Sequence, residues 1–416
     1  MTSPQLLAGY ARKWRRTTRL VAAVLLAAAL TEAAASEASA APAASAASAA
    51  PGVAVAATPT CPGWSAVRPP DPGAQLNDLF GLDVLSTKNA WAVGDYTGAN
   101  SIFRTLIVHW NGKVWSRVPS PNQGPGSNYL DSVSAVSPSN IWAVGQYSTQ
   151  PGSYGANKTL ILHWNGRTWS RVASPSPGSF ADDLSSVQRV SATNVWAVGL
   201  YAGSDIRDRS LILHWNGKAW SQVASPNPGR QSDSLSGLSG VNARSLWTTE
   251  LYTNSSGTSG TSQILHWNGR TWSKAAAGPS GSDLVDVTLS SATNGWAVGS
   301  DAKGLSLAMR WNGRSWKRVQ TPNLKPGQLT NALQSVTAVS PTSAWAVGDA
   351  EDLFNFDSTA IEMHWNGHAW SMMASPAPGG TSALYSVRAT SAASPWAVGE
   401  YGLTTRIQRT LAFRCR

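Results

Sequence analysis

A short tryptophan-led string, WAVG or a close variant, returns seven times along the 416-residue chain, with its tryptophan at Trp91, Trp142, Trp196, Trp247, Trp296, Trp345 and Trp396. The spacings are 51, 54, 51, 49, 49 and 51 residues. So regular a period means one small unit used seven times, each burying its apolar face against its neighbours. A second string, HWNG, places Trp110, Trp164, Trp215, Trp267 and Trp365 about twenty residues after the first, with Trp311 in the variant RWNG. Five residues further stand Trp115, Trp169, Trp220, Trp272, Trp316 and Trp370. With Trp64 these make 20 of the 21 tryptophans; the other is Trp14. Only 13% of residues are charged, about half the usual share, and 37 glycines and 24 prolines interrupt the chain, which excludes a coiled coil or a charged disordered protein. No apolar span reaches the roughly 20 residues of a membrane helix.

Within one repeat every segment reads as strand: Leu130 to Ser137, Ile141 to Tyr147, Thr159 to Trp164 and Thr168 to Ala173 are short, apolar or alternating, and separated by turns. Asn165-Gly166 predicts a two-residue type I′ hairpin. Four antiparallel strands repeated seven times at this period predict an all-β fold, a seven-bladed β-propeller of four-stranded blades. The seventh repeat ends after its third strand, at Cys415, while Trp64-Ser65-Ala66-Val67 copies the missing fourth strand. The N-terminal strand is therefore expected to complete the last blade. That register puts Cys415 where the HWNG tryptophan stands and Cys61 where the glycine stands, across one hairpin, and predicts a Cys61–Cys415 disulfide that locks the ring.

The chain begins with Arg12, Lys13, Arg15, Arg16 and Arg19, an apolar run from Leu20 to Leu30, and Ala38-Ser39-Ala40. Residues 1–40 read as a signal peptide, with Arg15-Arg16 hinting at twin-arginine export. Residues 41–60, rich in Ala, Pro and Ser, read as a linker, and 61–416 as the folded domain. Secretion to an oxidising compartment fits one disulfide. Loss of residues 1–40 removes five basic and two acidic groups and takes the net charge from +10 to +7.

The fixed register of the tryptophans is that of packing positions between blades. His109, His163, His214, His266 and His364 occur one per blade and cannot converge on a metal; His368 sits in a turn. Lys113, Arg167, Lys218, Arg270 and Arg314 share that turn, and Arg117, Arg171, Lys274 and Arg318 dot the outermost strand, where charge discourages edge pairing. The long, variable loops share one face, the expected binding surface. Five tyrosines, Tyr96, Tyr147, Tyr201, Tyr252 and Tyr401, follow the second strand there and are candidate ligand contacts; blades five and six carry Asp301 and Ala350 instead. Glu250 stands where six blades have glycine and is a further candidate. Asp349, Glu351, Asp352 and Asp357 form an acidic loop whose oxygens could meet calcium, but without a ligand-spaced turn. The inner strands should turn Phe80, Asp131, Ser185, Ser236, Val285, Gln334 and Tyr385 to the axis, a set with no convergent acid–base pair.

The order IWAVGQY, LILHWNGRTWSRV, SPSP resembles kelch-type blades, and more closely the bacterial secreted proteins with WAVG and HWNG repeats. Kelch blades carry a double glycine where this chain has one. The copper site of kelch-like oxidases needs an internal cysteine, and the Asp box of sialidase-type propellers has Trp in its Asp position here, so neither chemistry transfers. These readings point to a secreted, non-catalytic monomer that binds an extracellular glycan or protein, with no cofactor, metal or catalytic residue, no nucleic-acid partner and no membrane contact in the mature form. The alternative is a hydrolase or lyase that acts on polysaccharides through carboxylates of the loop face.

Overall fold

The computed structural model describes residues 61–151, 156–253, 260–352, 357–378, 380–404 and 407–415. The expected signal peptide and linker lie outside the described residues. The described chain forms 28 β-strands and one 3-10 turn. Four consecutive strands make each of the first six blades; in blade one these are Asn77–Ser86, Asn89–Thr97, Phe103–Trp110 and Trp115–Arg117, from innermost to outermost. Each inner strand contacts the next blade's, and the seventh contacts the first, so the blades close into a ring. None of the helices among the described residues is long and apolar enough to cross a membrane.

Closure follows the expected register. Strand Trp64–Ala66 pairs antiparallel with Ile407–Cys415, Trp64 opposite Cys415 and Ala66 opposite Phe413. Cys61 and Cys415 are disulfide-bonded with 5.5 Å between their Cα atoms.

The tryptophans hold neighbouring blades together. Trp91 of blade one lies 5.1 Å from Trp164 and 5.8 Å from Trp169 of blade two, and Trp142 lies 5.0 Å from Trp215 and 5.4 Å from Trp220 of blade three. The series ends where it began, with Trp396 of blade seven 5.2 Å from Trp110 and 5.4 Å from Trp115 of blade one. Blade seven has Cys415 in place of one tryptophan, so Trp345 meets Trp64 alone, at 5.5 Å. Burial of each ring removes about 200 Å² from water, roughly 5 kcal/mol of gross stabilisation. The third-strand indoles also donate to turn carbonyls, as in Trp110 to Thr87 and Trp164 to Pro138, both 3.1 Å.

The histidines belong to the same packing. His109 lies 4.3 Å from Trp91, and His163, His214, His266 and His364 repeat the contact. Burial holds all five below the usual imidazole pKa. In blades five and seven a guanidinium takes that place, Arg310 at 5.6 Å from Trp296 and Arg414 at 5.8 Å from Trp396.

The Asn-Gly turns differ from the type I′ expectation. Trp110 pairs with Trp115, which leaves a four-residue loop, and only glycine has positive φ, 96° at Gly112 and 95° at Gly166. Asn111 Oδ1 instead accepts from the backbone N–H groups of Lys113 and Val114, both at 3.0 Å. A side-chain carbonyl that satisfies two backbone donors removes the need for a second left-handed residue.

Candidate functional site

The glycine of WAVG shapes the axis. It pairs with the inner strand where that strand bulges: pairing steps from Leu79 to Gly81 opposite Gly94 and from Leu130 to Ser132 opposite Gly145. A Cβ on Gly94 would stand 2.0 Å from the Asp78 carbonyl oxygen, so only glycine lets the inner strand fold over it. The same step recurs in the other blades that carry this glycine; in blade four, where Glu250 stands, it widens, and pairing passes from Leu235 to Leu238. A bulge re-aims its extra side chain, and here the bulged residues are Phe80, Asp131, Ser185, Ser236, Val285, Gln334 and Tyr385. All seven line a central cavity of about 390 Å³, as the sequence register predicts.

The cavity opens toward the loop face, because Phe180, before blade three, and Asp208, at the start of a third strand, complete its lining. Five aspartates line it, Asp131, Asp183, Asp208, Asp283 and Asp286, against one cation, Arg388. This lining is opposite in sign to the whole chain, which carries +10. Asp286 accepts from Ser335 Oγ and the Val336 and Val287 N–H groups, each at 2.9 Å; burial raises its pKa, and Arg388 opposes that. Tyr385 donates to Glu400 Oε1 at 2.9 Å, and burial together with that carboxylate pushes its phenol well above the usual pKa.

The wall is stapled from blade to blade. Ser132 Oγ accepts from Val187 N–H, Ser134 from Arg189, Ser239 from Leu289 and Ser335 from Val387, at 3.1 to 3.3 Å. Asp83 accepts from Ala135 N–H at 2.7 Å and from the Arg189 guanidinium at 2.9 Å. Inner strands are sheet edges, and a neighbour's short polar side chain satisfies their outward donors. The rim is fixed similarly: Asn77, Asn128, Asp182, Asp233 and Asn331 each accept, at 2.7 Å, a backbone N–H from the preceding loop.

The five tyrosines are not brought together at this cavity. Tyr96 packs against the apolar cluster shared by blades one and seven, and Tyr147 against the one shared by blades one and two. Their rings lie under Arg117 and Arg171, at 4.8 and 5.2 Å, and their hydroxyls accept from the same guanidiniums. Tyr201 is half-buried against blade two, Tyr252 is half-buried, and Tyr401 is buried against blade six. Glu250 is fully buried behind the cavity wall, between blades three and four. In the acidic loop, residues 353–356 lie outside the described residues; Asp349 is buried and accepts from Gln334 at 3.3 Å. Among the described residues no group of three or more His, Cys, Asp or Glu is placed to hold a metal ion.

Phe180 is the contact that sequence reasoning missed. It is 42% exposed at the cavity rim, and its signal was a lone aromatic in a Ser/Pro/Gly loop. The staples had none, since they join residues 50 to 106 positions apart.

No family model matches the chain, and neither does any curated protein sequence. Among solved structures it is similar to YCF48 bound to D1 peptide, with a TM-score of 0.53 and 13% identity over 86% of this chain and 98% of that one. It is equally similar to an ulvan lyase, a polysaccharide lyase, with a TM-score of 0.53 and 9% identity over 83% of this chain and 92% of that one. At such identities the likeness establishes the fold alone: the chain is a β-propeller.

Proposed function

We propose that this is an exported, non-catalytic β-propeller that binds an extracellular glycan or protein ligand on its loop face, centred on the axial cavity. One observation carries the reading. The positions that pack blades repeat around the ring, whereas the seven bulged positions hold six different residue types around an open volume. Uniform positions serve the fold; a varied set aimed into a cavity of this size is how binding sites are built. The carboxylates and hydroxyls of the lining are acceptors suited to sugar hydroxyls or to the N–H groups and cations of a peptide, with Phe180 as an apolar contact. Tyr96, Tyr147, Tyr201, Tyr252 and Tyr401 would serve only a ligand long enough to reach the seams. The disulfide supports an oxidising, extracellular location, and cleavage after residue 40 would leave a linker and a monomeric domain related to the kelch-like WAVG proteins. The fold's capacity for such ligands is supported by YCF48, solved with a peptide, and by the ulvan lyase.

Polysaccharide cleavage is the weaker reading. The axial phenol, Tyr385, is held protonated and is a poor base. The two carboxyls pushed up to about 7, Glu250 and Glu362, are fully buried and do not line the cavity. A glycan and peptide array, followed by calorimetry of the strongest hit, tests the choice. Binding without product release, weakened at least about tenfold by Asp131→Asn with Asp283→Asn, is expected; tenfold is about 1.4 kcal/mol. Undiminished binding by that variant would remove the cavity from the site, and product release abolished by it would establish an enzyme.

A further inference from the structure

Blade four departs from the other six at two facing positions. Glu250 replaces the WAVG glycine, and Gln263, paired with it in register, stands where the other third strands carry leucine or isoleucine. The two side chains bond directly, Gln263 Nε2 donating to Glu250 Oε2 at 2.5 Å. A third partner comes from the neighbouring blade: Ser210 Oγ of blade three donates to Glu250 Oε1 at 2.6 Å. The equivalent hydroxyls, Thr105, Thr159 and Ser306, bond instead to residues of the loop after their own blade, Ser120, Ser174 and Thr321. Blade three has thus turned its hydroxyl toward the blade-four carboxyl. Here alone among the described residues do two blades share a backbone ladder contact, Asp208 with Ser232.

The clamp stands directly behind the cavity wall. Leu251, adjacent to Glu250, lines the cavity, as do Leu235, opposite it in register, and Asp208, two residues from Ser210. The charged groups around it favour a neutral carboxyl. The inner strand of blade four presents Asp233, held by Arg207 at 3.6 Å; the third strand of blade three carries Asp208 and Arg209, the latter bound to Asp205 at 2.6 Å; the third strand of blade four offers neutral Gln263. Glu250 receives no cation in any hydrogen bond or ion pair among the described residues.

We propose that Glu250 is a proton-dependent positioning residue: neutral, it joins blade three to blade four through Gln263 and through Ser210, whose Oγ can accept the carboxyl O–H, and as pH rises the seam opens more readily, because the carboxyl ionises freely once exposed but is buried without a cation in the closed seam. Its functional consequence rests on the cavity being the ligand site; the clamp itself does not. Burial, strengthened by Asp233, pushes the carboxyl up to about 7, against the two hydrogen bonds, so the change falls near neutral pH.

Hydrogen exchange tests this without a ligand. The probe is the exchange rate of the peptides spanning 208–215 and 245–253, divided by that of the equivalent blade-two peptides, 157–164 and 140–148, at pH 5.5 and 8.5. The division cancels the intrinsic pH dependence of exchange. In the wild type the ratio should rise about tenfold or more between the two pH values, while in Glu250→Gln it should stay constant. Glu250→Gly, which restores the residue of the other six blades, should also give a constant ratio and serves if the glutamine variant does not fold. A constant wild-type ratio, or an equal rise in either variant, overturns the clamp. An array without hits would contradict the cavity as a binding site and leave the exchange result standing.

Discussion

Replacing Cys61 and Cys415 by serine lowers the stability of the ring by up to about 5 kcal/mol, the chain-entropy value for a loop of this length. The two cysteines are 354 positions apart, so the crosslink constrains nearly the whole unfolded domain. The expected loss is about 7 °C in midpoint temperature, taking roughly 2 cal/mol/K of unfolding entropy per residue. The position matters as much as the loop length. Blade seven receives its outer strand from the far end of the chain, through the three-residue ladder Trp64 to Ala66. Without the disulfide, that strand and Ile407–Cys415 become the place where the ring opens. Calorimetry with and without reductant reads the first effect, and hydrogen exchange of residues 64–67 and 407–415 reads the second. An unchanged midpoint with unchanged protection would mean that the indole seam closes the ring unaided.

Replacing Glu362 by isoleucine should stabilise the protein by about 3 kcal/mol at pH 8 and far less at pH 4.5. Four blades carry isoleucine at this third-strand position, Ile107, Ile161, Ile212 and Ile264, all fully buried. Glu362 is equally buried, accepts one hydrogen bond, from Ser375 at 2.8 Å, and burial pushes it up to about 7 from 4.5. A folded-state pKa above the unfolded value means that the native form holds the proton more tightly. Below about pH 4.5 both states are protonated and nothing is lost. Between about pH 4.5 and 7 the unfolded carboxyl releases its proton while the buried one keeps it, so stability falls by about 1.4 kcal/mol per pH unit and the loss is complete once pH has passed 7. The five histidines act in the opposite direction. Their lowered pKa values make stability full above the ordinary imidazole range and cause its loss as pH falls. Urea denaturation of wild type and variant at both pH values cancels the histidine contribution; an equal gain at both would show that ionisation is not the cause.

The architecture could be read from the sequence because each blade is a local unit. Three tryptophans per repeat set the blade count, and the orphan Trp64 with Cys415 gave the closure. The axial residues were also legible, because they occupy one inner-strand position that returns with the spacing of the repeat. The bulges were not, because they depend on the close approach of the inner strand's carbonyl to Gly94 and its equivalents. Glu250 was visible as a departure from glycine, but its burial and its bond to Ser210 span 40 positions and two blades. The tyrosines are expected just past the second strand, on the loop face, but lie within that strand near its end, and their position in separate seams depends on the neighbouring blade.

Ser236 faces the cavity from blade four, and tryptophan there would fill much of the open volume without touching the tryptophan seams. Calorimetric titration of wild type and Ser236→Trp with the strongest array ligand therefore separates the cavity from every other surface. Axial binding predicts that the heat of binding disappears in Ser236→Trp while the thermal midpoint stays at the wild-type value. Unchanged affinity in a folded Ser236→Trp protein would contradict it.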